Sequence, residues 1–208
     1  DEIELMKMTA QNTEVAFAAV ADAIRPGIRE CDLVGTAINA LYQEGADHTE
    51  DCVCMAGQNT NPIGISFTDN PIRPGDLIYV DVDGAAYQGY KSCVYRCFCC
   101  GQPTQQQNDL HEEAREMLYN GLSVIKDGVN NHEVMAQWPD SPAYWGYDAD
   151  DLGRFEPLAL AHGLGLTLHD MPFVTRSTQE VEEEIKAGMV LAVETYAGQK
   201  GGYAWLQV

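Results

Sequence analysis

The chain repeats itself, and that repetition limits its fold more than any other feature. Residues 23–28, AIRPGI, are echoed by residues 124–129, VIKDGV, and residues 72–81, IRPGDLIYVD, by residues 185–194, IKAGMVLAVE. The first pair each lie between a long and a shorter helical pattern. The second pair are each a turn followed by an apolar strand that closes on an acid, Asp81 in one copy and Glu194 in the other. Two echoes in the same order predict two helix–helix–strand halves, near 1–100 and 101–208, packed with pseudo-twofold symmetry around one sheet. Asp81 and Glu194 then come to equivalent places.

Local patterns fill in the halves. Ile3, Met6, Ala10, Val15, Phe17 and Val20 are spaced for an amphipathic helix over 1–24, ended by Pro26 and Gly27. A second helix is expected over 32–43 with Asp32 as its N-cap, a strand over 52–57, and a loop over 58–70. Pro74 and Gly75 launch a strand over 76–83, and a turn at Gly84 leads into the second strand of a hairpin, 85–98. Residues 108–126 form the clearest helix, acidic at its start, followed by a short helix over 131–137 and an aromatic, proline-bearing loop over 139–151. The fold class is therefore α+β.

The stretch 158–172, LALAHGLGLTLHDMP, reads as two short buried strand segments joined at Gly163 and Gly165. It sets His162 and His169 among apolar residues, where an imidazole is costly unless it is bonded or bound. With Asp81, Asp83 and Glu194 at the ends of buried strands, the pattern suggests a metal site of mixed oxygen and nitrogen ligands.

Charge and cysteines set the surroundings. A net charge of −20 excludes a nucleic-acid binder, because phosphate neutralisation needs clustered Lys and Arg. No apolar run approaches the roughly 18 residues of a membrane span. The seven cysteines do not show zinc-finger spacing and are expected to be reduced thiols of a cytoplasmic protein.

Four segments resemble the pita-bread metallopeptidases, the family of aminopeptidase P, prolidase and methionine aminopeptidase, with creatinase and a dimethylsulfoniopropionate lyase as non-peptidase relatives. They are IRPGDLIYVDVDGA at 72–85, YQGYKSCVYR at 87–96, AHGLGLTLHDMP at 161–172 and GMVLAVETYAG at 188–198. The resemblance implies a pita-bread fold, with two pseudo-symmetric halves around a curved, mostly antiparallel sheet and helices outside. It makes residues 1–208 a single catalytic-type domain, expected to be a fragment lacking an N-terminal domain and its C-terminal end.

Residue by residue, the resemblance makes Asp81 or Asp83 the first metal ligand, His162 the imidazole ligand and Glu194 a bridging or terminal carboxylate with a catalytic part. His169 becomes the catalytic histidine that contacts substrate. The implied cofactor is one or two divalent ions, manganese, zinc, cobalt or iron, and the implied reaction is metal-assisted hydrolysis of a small peptide or other small polar substrate by a homodimer. Three departures stand out. Cys93 occupies the family's second aspartate position and is counted as a softer metal ligand; the segment NPIGISFTD at 61–69 lacks a histidine that many members carry; and the family's last glutamate would fall just past Val208. The leading reading is a hydrolase resembling Xaa-Pro peptidases with a degenerate metal site. The alternatives are a lyase or amidinohydrolase on the same fold, or a non-catalytic binding module.

Overall fold

The echo has a hydrogen-bonded counterpart. The computed structural model describes residues 1–60, 66–139, 160–175, 181–198 and 206–207. In it α1 (Glu2–Ala23) and α2 (Glu30–Gln43) are joined by a turn where Gly27 N–H donates to Ile72 O and Ile72 N–H to Ile28 O, both at 2.8 Å. In the second half α3 (Gln105–Val124) and α4 (Asn131–Met135) are joined by a turn where Gly128 N–H donates to Ile185 O and Ile185 N–H to Val129 O, again both at 2.8 Å. Each helix pair is thus tied to the isoleucine that opens the echoed turn.

The helix starts differ from expectation in an instructive way. Asp32 is not the N-cap of α2 but its third residue, where its carboxylate accepts from the Arg29 backbone N–H at 3.1 Å. α3 begins at Gln105 rather than 108, because Thr104 and Gln107 form a capping box. Asn130 and Glu133 do the same for α4.

The first half carries an antiparallel sheet of order β1-β2-β3, with β1 Asp51–Ala56, β2 Leu77–Tyr87 and β3 Tyr90–Cys99. The second carries β5-β4-β6, with β4 Ala161–Gly163, β5 Asp170–Val174 and β6 Leu191–Val193, and a short β7 (Tyr196–Ala197) pairs with β8 (Leu206–Gln207). Every pairing among the described strands is antiparallel. One detail is corrected: strands 77–83 and 189–195 do not share a ladder among the described residues. β6 is three residues long and pairs with β4, and the next residue, Glu194, meets β3 through side chains, those of Cys93 and Tyr95.

A second correction concerns Gly84. The chain does not turn there; β2 runs on to Tyr87 past a bulge between Asp83 and Ala85, and the turn falls at Gln88 and Gly89. Both turn residues have positive φ, as a two-residue hairpin requires. Gly84, at φ 65°, takes the bulge, and a Cβ on it would lie 2.7 Å from the Glu50 side chain.

Alternation along β2 assigns its faces. Ile78, Val80 and Val82 enter a core with Val20, Leu33 and Leu41 beneath α1 and α2. A separate core of Ala114, Val134, Trp138, Ala161, Val174 and Ile185 lies under α3 and α4. Burial at about 2 kcal/mol per large apolar side chain pins β2 to its helices and forces Tyr79, Asp81 and Asp83 onto the opposite face. The loop expected at 139–151 lies, beyond its first residue, outside the described residues, as do 61–65 and 158–159.

Candidate metal centre

Two strands and two strand ends build the site. Across the β2–β3 ladder Asp81 sits opposite Tyr95 and Asp83 opposite Cys93. Toward that face come His162 from β4 and Glu194 from just beyond β6. Lys91 N–H donates to Gly165 O at 2.9 Å, stitching the first sheet to the β4–β5 connection.

Among the described residues two sets of donor atoms result, each with its members within 4.8 Å of one another: Cys93, His162 and Glu194, and Asp81, Asp83 and Cys93. Cys93 belongs to both. Its Sγ lies 3.2 Å from Asp83 Oδ1 and 4.0 Å from Glu194 Oε1. Asp81 and His162 fall in different sets, and the Cys93 thiol joins the two.

His162 is fully buried and held rigidly. A Cβ on Gly163 would lie 2.3 Å from Met171 O, so glycine alone lets β5 pass this close to β4. His162 Nδ1 is 2.9 Å from Gly163 O, and because a carbonyl only accepts, Nδ1 carries the hydrogen and Nε2 of the neutral ring carries a lone pair. Nε2 sits 3.1 Å from Glu194 Oε1, yet the approach is not aligned as a hydrogen bond and Nε2 has no other partner among the described residues. Two lone pairs that close require a cation between them, a proton or a metal ion. Asp81 Oδ1 is a further buried polar atom without a hydrogen-bond partner among the described residues. The donor chemistry therefore fits a divalent ion.

The electrostatics are those of acids crowded away from water. Burial, with Asp83 and Glu194 close by, holds the Asp81 carboxyl well above the usual range, and burial likewise raises Asp83. Burial and the surrounding carboxylates push the Cys93 thiol up. For His162 burial works against the charged ring, but Glu194, the Gly163 carbonyl and Asp83 outweigh it and lift its pKa. Groups that hold protons in the folded state after the unfolded chain has released them lose stability as pH rises through their folded pKa. His169, lowered by burial and by His162, acts oppositely below about pH 6.5. The metal-free protein is therefore expected to lose stability as pH rises above about 4, the ordinary carboxyl value. Asp81→Asn should flatten that slope and stabilise it by about 1 kcal/mol at about pH 8, read from urea unfolding in a chelator. An unchanged slope would remove Asp81 as its source.

His169, expected in a buried strand segment, stands instead at an exposed bend between β4 and β5, its ring 4.4 Å from that of His162. Thr167, His169 and Asp170 are exposed there while Leu168 turns inward and anchors the bend. Sequence reasoning passed over Tyr79 and Tyr95. The Tyr79 hydroxyl bonds Asp81 Oδ2, the Tyr95 hydroxyl donates to Glu194 Oε2 at 3.3 Å, and their rings lie 5.6 Å apart. The available signal was alternation, since Tyr79 is two residues from Asp81 and Tyr95 two from Cys93.

Known proteins share this arrangement of elements. The chain is 28% identical over 206 residues to an uncharacterized peptidase, YqhT, of Bacillus subtilis, covering 97% of this chain and 56% of the relative. It is 27% identical over 206 residues to an Xaa-Pro dipeptidase of Pyrococcus furiosus, with the same coverage of 97% and 56%. The chain thus spans a little over half the length of these relatives. Among solved structures, the prolidase from Pyrococcus furiosus superposes with a TM-score of 0.82 at 25% identity, covering 99% of this chain and 59% of that one. An X-Pro aminopeptidase from Thermotoga maritima gives 0.83 at 24% identity, covering 99% and 56%, which bears on the fold alone. The pita-bread fold implied by the sequence resemblance is the fold of this chain. The sequence model of metallopeptidase family M24 matches residues 4–206, and the chain belongs to that family.

Proposed function

We propose that the protein is a metal-dependent hydrolase of small peptides, of the Xaa-Pro dipeptidase type. The observation that carries this reading is the group of Cys93, His162 and Glu194 within 4.8 Å, beside the exposed ring of His169. Cys93, His162 and Glu194, with Asp81 and Asp83 adjoining, are the residues that would hold the metal. A bound divalent ion supplies an acidified water and a polarised scissile carbonyl. The chain's own contribution is positional. Tyr95 fixes the Glu194 carboxylate, Gly163 O fixes the His162 ring, and the buried strand β2 shields Asp81 from bulk water. His169 would donate a hydrogen bond to the substrate carbonyl as it gains negative charge; its ring lies 4.4 Å from that of His162, which supports the role.

A cytoplasmic homodimer belongs to the same reading; no helix among the described residues is long and apolar enough to cross a membrane. The test is hydrolysis of Xaa-Pro dipeptides by the purified protein reconstituted with zinc, cobalt or manganese. His169→Ala should lower kcat by about a hundredfold while ion content stays unchanged. Failure to cleave any dipeptide while the ion is demonstrably bound would sink the peptidase reading and favour a lyase, an amidinohydrolase or a binding module on this fold.

A further inference from the structure

Position 93 and the two phenols beside it point to an ion site unlike one built from bridging carboxylates. A carboxylate that bridges two ions gives one oxygen to each. Here one oxygen of each key acid is already engaged: Tyr79 bonds Asp81 Oδ2, and Tyr95 donates to Glu194 Oε2 at 3.3 Å. Both phenols are buried against Met55 and each other, and a phenol is a hydrogen-bond donor at neutral pH. Among the described residues the donor atoms left for an ion are Glu194 Oε1, the orphaned His162 Nε2 and the Cys93 sulfur in one group, with Asp81 Oδ1 and the Asp83 carboxylate beside them in the other; only the first group includes an imidazole with the sulfur.

We propose that Cys93, His162 and Glu194 bind a single thiolate-ligated ion of the zinc class, with Tyr79 and Tyr95 restricting Asp81 and Glu194 to one donor oxygen each. Three protein ligands, one of them sulfur and one imidazole, match the donor number and softness that suit zinc or cobalt(II) better than manganese or magnesium. Three ligands also leave a coordination position for water or substrate. The Cys93 thiol loses its proton to solvent as the ion binds. This inference concerns the ion alone and stands whether or not the protein cleaves Xaa-Pro bonds.

The test is a cobalt(II) titration of the chelator-treated protein followed by absorption. One equivalent is expected to saturate the protein and to bring up a near-ultraviolet sulfur-to-cobalt charge-transfer band, which zinc then abolishes and equimolar manganese does not. In Cys93→Ser the band should vanish and cobalt affinity fall by about tenfold or more, with unchanged far-ultraviolet circular dichroism showing that the fold persists. In Tyr95→Phe, a variant that keeps every proposed ligand, the band should remain while a second equivalent binds, because Glu194 Oε2 is released. Saturation of the parent at two equivalents, a spectrum without the band, or a band that survives in Cys93→Ser would each overturn the thiolate site. A Tyr95→Phe protein that still stops at one equivalent would remove the restricting role of the phenol.

Discussion

Cys93→Asp is expected to raise the ion content of the protein from one to two per chain and to tighten manganese binding by about tenfold or more. Position 93 is the only member common to the two donor sets found among the described residues, so a residue there with two hard oxygens can serve both. Sulfur cannot do so for hard ions, and burial, with the acids around it, pushes the Cys93 thiol's pKa up. An aspartate has no phenol partner imposed on it, whereas Asp81 and Glu194 do. The same change adds a fourth acid near Asp81, Asp83 and Glu194 and removes the hydrogen bond from Cys93 to Asp83. The metal-free variant should therefore unfold more easily than the parent, by about 1–3 kcal/mol, and regain stability when manganese is added. Calorimetry and elemental analysis read the stoichiometry, and Xaa-Pro dipeptide cleavage with manganese should rise with it. A variant that binds no more manganese than the parent would show that the constraint lies outside position 93.

The parts of this fold that could be read from sequence are those set by short-range pattern. The echoed turns were legible because Gly27 with Ile72 and Gly128 with Ile185 make the same pair of backbone bonds, which the chain marks with the same residue types. The two faces of β2 were legible from alternation alone. Gly84 was not, because a glycine after an apolar strand looks the same whether it turns the chain or carries a bulge. That difference reaches the site. A turn at Gly84 would set Asp83 against Ala85, whereas the turn at Gln88 and Gly89 sets Asp83 against Cys93 and Asp81 against Tyr95. The phenol contacts were hidden for the same reason, since register rather than composition decides which side chains face each other. Asp81, Asp83, Glu194 and His162 could be nominated from the echoed strand ends and the buried histidine segment, but Cys93 only through family resemblance, as nothing local says that a residue of β3 meets those of β2, β4 and the end of β6.

Glu30→Ala is expected to cost about 3–5 kcal/mol, a large loss for a single substitution. Glu30 opens α2, has no solvent exposure, and sits far in sequence from everything it binds. Its Oε1 accepts from Ala56 N at 2.8 Å, from Asn59 Nδ2 at 2.9 Å and from Asn70 Nδ2 at 3.4 Å. Its Oε2 accepts from Thr68 N at 2.8 Å and Thr68 Oγ1 at 2.7 Å. One side chain thereby ties the first turn of α2 to the end of β1 and to the returning segment 66–70. Alanine would leave these donors without an acceptor in a site closed to water, and each unmet buried donor costs about 1–3 kcal/mol before relaxation. Glu30→Gln should cost less, about 1–2 kcal/mol, because its carbonyl keeps the Oε1 contacts while its amide meets the Thr68 N–H donor head-on. The effect should also reach the metal centre. Val53 of β1 pairs with Asp81, and Ala56 with Ile78, so loosening the end of β1 loosens the strand that carries Asp81 and Asp83. Urea unfolding of the two variants orders these costs. A Glu30→Ala protein within about 1 kcal/mol of the parent would mean that solvent enters the site and meets the orphaned donors, and that the anchor between α2 and β1 lies in their apolar contacts instead.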